Sequence, residues 1–178
     1  MSDFVFFSYA HEDKSQIDGV YLAVRAAGVP AWMDEPPGPC RTHGIPPGAD
    51  WELFVRSRLT SAAVIVAFLS RASTTKSGYV QKELRLALEA VSKRPIGSNT
   101  LIPVLLEPCD VPRVTVDTVS LHQLQWYRLY EKGVDPLVSF LKVRFGVTSL
   151  FDSAEFKLQD LQNEVNWLKA QIPNPDHS

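Results

Sequence analysis

The side chain best suited to chemistry in this sequence is the carboxylate of Glu83. It follows a polar stretch, residues 70–78, and lies near the start of a segment whose apolar residues have helical spacing. Tyr79 precedes it by one helical turn, so a ring and a carboxylate would lie side by side. Such a pair could stack a nucleobase or a nicotinamide and hydrogen-bond a ribose. From spacing alone, a solvated glutamate near a helix N-terminus is the simpler interpretation.

Other catalytic or ligand-binding patterns find little support in the sequence. There is no GxGxxG or GxxxxGK[ST] motif, so neither phosphate-binding fingerprint is present. Cys40 and His43 share one loop, but no second Cys/His pair stands at ligand spacing, and we therefore predict no metal site. A Cys/His nucleophilic pair is equally unsupported. Cys40 and Cys109 are predicted to be free thiols in a reducing compartment.

Length, composition and charge favour one globular domain with a short appendage. The chain has 178 residues, 45% hydrophobic and 21% charged, with a formal net charge of −2. That charge balance predicts no nucleic-acid partner and no anionic membrane surface. Neither a bilayer-length apolar run nor a signal pattern is found, so a cytoplasmic location is expected.

Strand and helix patterns alternate along the first 145 residues. Apolar runs typical of strands alternate with amphipathic segments, and the fourth strand is followed by an irregular region, residues 107–123. This order predicts a flavodoxin-like open sheet of about five mainly parallel strands with helices on both faces. Ligands bind beyond the carboxyl ends of such strands. We place the strands at residues 4–9, 29–33, 62–69, 101–106 and 124–127, and helices at 13–27, 51–59, 80–91 and 135–145.

A proline-rich loop, residues 35–49, separates the second strand from the second helix. It contains five prolines and three glycines and has no periodicity. It is longer than ordinary connections, which makes it a candidate functional loop. The residues of interest in it are Pro36, Gly38, Gly44 and Pro46.

The C-terminal segment carries a heptad pattern. Its apolar residues are spaced alternately three and four apart, which is typical of a coiled-coil seam. We predict a domain at residues 1–147, an oligomerisation helix at 148–173 and a disordered tail at 174–178. The alternative is a helix that packs back on its own domain. The seam residues are Phe151, Ala154, Leu158, Leu161, Val165, Leu168 and Ile172.

Five segments, in this order, resemble the conserved boxes of TIR (Toll/interleukin-1 receptor) domains, most closely those of bacteria. The resemblance spans residues 4 to about 145, and the set is specific although each segment alone is weak. The segments are FFSY at 6–9, GVPAWMD at 28–34, GADW at 48–51, SAAVIVAFLS at 61–70 and SGYVQKEL at 77–84.

The resemblance implies an activity and a site. In enzymatic TIR domains the glutamate at the position of Glu83 cleaves the nicotinamide–ribose bond of NAD+, with NAD+ as substrate and no metal or cofactor. Tyr79 stands where the family usually has tryptophan, which puts the rate or product type in doubt. The expected substrate-binding residues are Phe7, Ser8, Tyr9, Trp32, Asp34, Ser70 and Tyr79. Ser8 and Ser70 could equally cap turns, and Trp32 could be core.

The resemblance also implies assembly into a homo-oligomer or filament. The proline-rich loop corresponds to the family's BB loop, which completes a neighbouring subunit's pocket, and the heptad helix would raise the local subunit concentration. We expect a role in antiphage defence by NAD+ depletion. Two alternatives stay open: a non-enzymatic TIR scaffold, and a cyclase whose cyclic ADP-ribose product signals to a separate effector protein. An upstream sensor is a further possible partner.

Overall fold

Parallel strands form the central sheet of the computed structural model, which describes residues 3–75, 79–95, 100–147 and 150–171. Within these ranges, only the backbone is described for residues 39, 42, 79–82, 150–156 and 170–171. The described residues form a five-stranded sheet in the order β2-β1-β3-β4-β7, with every pairing parallel. Its strands are β1 Val5–Ser8, β2 Ala31–Trp32, β3 Val64–Leu69, β4 Leu101–Leu105 and β7 Tyr127–Arg128. The predicted flavodoxin-like α/β fold is confirmed.

Helices cover both faces of this sheet, and each face has its own apolar core. Helices α1 (Lys14–Ala26) and α6 (Asp135–Arg144) pack on one face, and α2 (Trp51–Ser61) and α4 (Tyr79–Ser92) pack on the other. All six residues of β3 are buried. A central strand covered on both sides has no polar face, which explains its unbroken apolar sequence.

The structure also contains short elements that the sequence pattern did not predict. Part of the polar stretch 70–78 forms helix α3 (Arg71–Thr75), because Ser70 and Ser73 cap its first turn. The irregular region contains an antiparallel hairpin of β5 (Thr115–Val116) and β6 (Val119–Ser120). Three 3-10 helices, His11–Asp13, Gly38–His43 and Leu121–Gln123, and helix α5 (Leu129–Lys132) complete the described elements up to residue 147.

Some predicted boundaries were wrong. The fifth sheet strand lies at 127–128, after the predicted 124–127, because Leu124 and Trp126 pack into the core on the α2 and α4 side. Only two residues of the predicted 29–33 pair as β2. The proline-rich loop, predicted to be irregular throughout, contains the 3-10 helix Gly38–His43. A proline in its first turn suits such a helix, because proline's fixed φ is already helical.

The last helix, α7 (Leu150–Gln171), packs back on α1 and on the proline-rich loop. Its heptad residues Leu158, Leu161, Val165 and Leu168 are 68%, 60%, 41% and 48% exposed. Over residues 157–169, the helix therefore turns a polar side toward the domain and its apolar seam toward solvent. The side chains of the predicted seam residues Phe151 and Ala154 lie outside the described part of the structure. The predicted seam residue Ile172 and the predicted tail 174–178 lie outside the described residues. Among the helices that are described, none is both long and apolar enough to cross a membrane.

Gly44 provides a test of how tightly the proline-rich loop is folded. A Cβ atom there would lie 2.5 Å from the backbone oxygen of Asp34 and 2.8 Å from Cδ of Pro36. We expect Gly44→Ala to lower the free energy of unfolding by about 1–3 kcal/mol, because backbone must shift to make room. Denaturant unfolding monitored by circular dichroism measures this change.

Gly19→Ala is the matched control, since nothing lies within 4 Å of its added Cβ in helix α1. It should raise the free energy of unfolding by roughly 0.5–1 kcal/mol, the usual gain in a helix interior. Equal effects of the two substitutions would contradict the packing of Gly44 against Asp34.

Candidate functional site

A narrow cleft lies where the carboxyl ends of β1 and β2 meet the first turns of α2 and α4. Its cavity volume is about 20 Å³, enough for about one water molecule. The residues that line it are Phe6, Phe7, Ser8, Tyr9, Asp34, Trp51, Val55, Leu59 and Glu83.

Glu83 reaches the cleft because its helix is amphipathic. Its neighbours Leu84, Ala87 and Leu88 are buried in the core on that face of the sheet. Their burial fixes the rotation of α4, and Glu83 itself is half-buried at the edge of the cleft. Tyr79 occupies the first position of the same helix, one turn before Glu83. The side chain of Tyr79 lies outside the described residues, so its stacking role stays a prediction.

Tyr9 and Asp34 form a hydrogen-bonded pair across the ends of β1 and β2. The Tyr9 hydroxyl donates to Oδ1 of Asp34 at 2.6 Å, and the backbone N–H of Glu35 donates to the same oxygen at 2.9 Å. Burial, together with the charge of Asp34, raises the pKa of Tyr9 well above its usual value. Tyr9 therefore stays protonated and holds the Asp34 carboxylate in one orientation.

The cleft has an acidic character. Of the nine described residues that line it, two carry carboxylates, Asp34 and Glu83, and none carries a cation. The remaining walls are aromatic or aliphatic apart from the hydroxyls of Ser8 and Tyr9. This combination of a low-dielectric wall and negative charge would attract a flat cation such as a pyridinium ring.

Two predicted substrate-binding residues do not line this cleft. Trp32 is buried in the core, with its ring 5.0 Å from that of Phe6 and 6.0 Å from that of Phe54. The hydroxyl of Ser70 donates to Oδ2 of Asp13 at 2.7 Å and accepts from the backbone N–H of Ser73. Both side chains have structural partners here, and their contact with a substrate stays a prediction.

Sequence reasoning missed Trp51 as a wall of the cleft. It opens helix α2, and the side chain of Asp50 caps this helix by accepting from the backbone N–H of Leu53 at 2.9 Å. The cap fixes the first turn and so points Trp51 at the cleft. An aromatic residue directly after an N-cap at the end of the proline-rich loop was the available signal. The aliphatic walls Val55 and Leu59 carry no signal that separates them from core residues.

A second polar cluster lies under helix α7. Ligand atoms of Cys40, His43 and Asp160 lie within 4.8 Å of one another, an arrangement that could hold a metal ion. The guanidinium of Arg25, however, donates to both carboxylate oxygens of Asp160. Burial, with a contribution from Asp160, raises the pKa of the Cys40 thiol to about 11, which disfavours the thiolate that a metal requires. The carboxylate of Asp160 is therefore engaged in an ion pair with Arg25, and the Cys40 thiol donates a hydrogen bond to the same carboxylate at 3.5 Å.

Comparison with known proteins identifies the family. The family model described as TIR domain matches residues 5–140. The TIR domain of the Toll-related receptor TRR-2 from Hydra magnipapillata is similar in fold, with a TM-score of 0.56 and 19% identity over 79% of this chain and 94% of that chain. The TIR domains of the activated Roq1 resistosome, which directly recognizes the pathogen effector XopQ, give a TM-score of 0.49 and 16% identity over 92% of this chain and 84% of that chain. No curated protein matches significantly. Since the family model covers more than half of the residues, the chain belongs to the TIR domain family.

Proposed function

We propose that this TIR domain is an NAD+ nucleosidase, which releases nicotinamide and ADP-ribose or a cyclic isomer, with Glu83 as its catalytic residue. The observation that carries the proposal is the position of Glu83. A helix on one side of the sheet brings its carboxylate to the same cleft as the ends of β1 and β2. The TIR family includes enzymes that cleave NAD+, and this cleft is where ligands bind in such sheets.

The chemistry follows from the charge on the leaving group. In NAD+ the nicotinamide ring is a cation, and when its bond to ribose C1′ breaks, the bonding electron pair neutralises the ring nitrogen. The ribose then carries oxocarbenium-like positive charge. A carboxylate at Glu83 would accept hydrogen bonds from the ribose hydroxyls and stabilise that charge. Water then attacks C1′ and loses a proton, or a nucleophile on the same molecule attacks and gives a cyclic product.

The other walls of the cleft suit the nicotinamide end of the substrate. Asp34, oriented by Tyr9, adds a second carboxylate that would favour the pyridinium cation. Phe7 and Trp51 are aromatic walls against which a flat ring would pack. Ser8, half-buried at the end of β1, supplies a hydroxyl within the same cleft.

The narrow cleft also favours regulation by assembly. A volume of about 20 Å³ is too small for a nucleotide, so we propose that the walls of the cleft move when subunits assemble. We propose that Pro36, Gly38, Gly44 and Pro46 belong to the assembly surface of this loop. Self-association through the exposed seam of α7 would bring subunits together in the cytoplasm, in a homo-oligomer or filament, with NAD+ depletion serving antiphage defence.

The second candidate is a TIR scaffold without enzymatic activity. The small cavity favours it, because a scaffold needs no room for a nucleotide. The grouping of Glu83, Asp34 and Tyr9 favours the enzyme, since a scaffold has no need of converging carboxylates.

Replacing the carboxylate of Glu83 tests the proposal. Glu83→Gln should lower nicotinamide release from NAD+ by roughly 100-fold or more, because transition-state charge loses its stabilising partner. The measurement is chromatography of products from purified protein at high concentration, which also separates linear from cyclic ADP-ribose. Glu89→Gln is the matched control, since Glu89 is a half-buried glutamate on the same helix outside the cleft. If both variants kept wild-type turnover, Glu83 would not be the catalytic residue.

Charging the exposed seam of α7 tests the role of assembly. Leu161→Asp combined with Leu168→Asp should abolish self-association and lower turnover per chain by roughly tenfold or more, as the effective subunit concentration falls. Light scattering and NAD+ turnover are measured on the same samples. Val143→Asp is the control, because Val143 is 81% exposed on helix α6. Retention of both assembly and activity in the double variant would rule out this role.

A further inference from the structure

Where its side chains are described, at residues 157–169, helix α7 contacts the proline-rich loop through hydrogen bonds, an ion pair and one cation–π contact. Asp160, 8% exposed, pairs with Arg25 of helix α1, also 8% exposed, although 135 residues separate them. Next to this pair, Asp160 also accepts from the thiol of Cys40 in the loop. One carboxylate of α7 thus fastens the domain body and the loop together.

Two further contacts extend this surface along α7. The amide nitrogen of Asn163 lies 2.6 Å from Nε2 of His43, within hydrogen-bond distance. Arg41 lies over the ring of Trp167 at 4.1 Å from its centroid and pairs with Glu164 at 3.3 Å. Three residues of the 3-10 helix Gly38–His43 therefore face about two turns of α7, from Asp160 to Trp167.

The composition of the described part of this contact favours reversible docking. Among residues 157–169 of α7, no side chain belongs to either apolar core, and the leucines of its seam face solvent. Of the loop residues Cys40, Arg41 and His43 that these residues contact, Cys40 alone belongs to a core, so detaching this part of the helix would uncover little apolar surface. Buried ion pairs contribute little net stability, because desolvation offsets much of their attraction. The Arg25–Asp160 pair therefore specifies where the helix docks while contributing little to the free energy of docking.

The loop connects this contact to the cleft. Directly after the 3-10 helix, Gly44 packs on the backbone of Asp34, and the backbone N–H of Ile45 donates to the Asp34 carbonyl at 3.2 Å. Asp34 lines the cleft and holds Tyr9. An unbroken series of contacts runs from Asp160 through the loop to the wall of the cleft.

We propose that helix α7 is an autoinhibitory clamp, which docks on the surface formed by Arg25, Cys40, Arg41 and His43 and holds the proline-rich loop against Asp34 at the wall of the cleft. Release of α7 frees the loop and, with it, the Asp34 wall of the cleft. The clamp rests on the proposed function only for what the cleft binds, because its own readouts do not involve NAD+. A metal at this cluster would have to displace the Arg25 guanidinium from Asp160, which is why the geometry points to a clamp.

Cys40 is a built-in reporter of clamp opening, since it is 1% exposed beneath α7. In a Cys109→Ser background, Asp160→Asn should speed alkylation of Cys40 by N-ethylmaleimide by roughly 100-fold. That factor corresponds to about 3 kcal/mol, the low end of the cost of breaking a buried ion pair. Hydrogen exchange at the amide of Ile45 should accelerate in parallel, while the amide of Val66 in β3 keeps its protection.

Lys157→Gln, at an exposed position of the same helix, is the control and should leave the alkylation rate unchanged. Glu164→Gln removes only the partly exposed ion pair with Arg41 and should raise the alkylation rate of Cys40 roughly two- to fivefold. This variant tests the clamp if Asp160→Asn fails to fold. A folded Asp160→Asn variant that reacts at the wild-type rate would overturn the clamp, as would a wild-type rate for Glu164→Gln. Faster alkylation with an unchanged Ile45 amide would overturn the link to the cleft.

Discussion

The position of β1 in the sheet is the constraint on which the candidate site depends. It pairs with β2 on one side and with β3 on the other. The chain therefore passes from β1 to β2 on one side, and then crosses over β1 to form β3 on the other side. Right-handed crossovers then place α1 and α2 on opposite faces. At the carboxyl end of β1 the two connections diverge and leave a gap. Ser8, Tyr9 and Asp34 border that gap.

Two levels of interaction then shape the gap into a cleft. Apolar burial sets the frame, because the buried side of α4 fixes where Glu83 stands relative to β1. Polar contacts set the details, since Tyr9 orients Asp34 and the backbone of Ile45 holds the loop against it. The frame is stable because it rests on two cores.

The sheet could be predicted from sequence because its signals are local, such as the unbroken apolar run at residues 62–69. Helical spacing placed Glu83 near the edge of the sheet, but spacing alone favoured a solvated glutamate, and the family resemblance singled the residue out. The ion pair between Arg25 and Asp160 could not be predicted, because no pattern links residues so far apart. The same limit applies to α7: its heptads indicated an apolar seam, and the structure shows that the polar side contacts the domain. Trp32 was chosen by its position near the carboxyl end of the predicted strand 29–33, where a residue buried in the core leaves the same sequence pattern.

We propose that the cleft becomes catalytically competent when chains assemble. The most direct test is nicotinamide release from NAD+ by the wild-type protein over a wide range of protein concentration, with oligomeric state followed in the same samples. Turnover per chain should rise steeply as the protein assembles. Turnover per chain that is independent of concentration, or no nicotinamide even from fully assembled protein, would contradict this proposal.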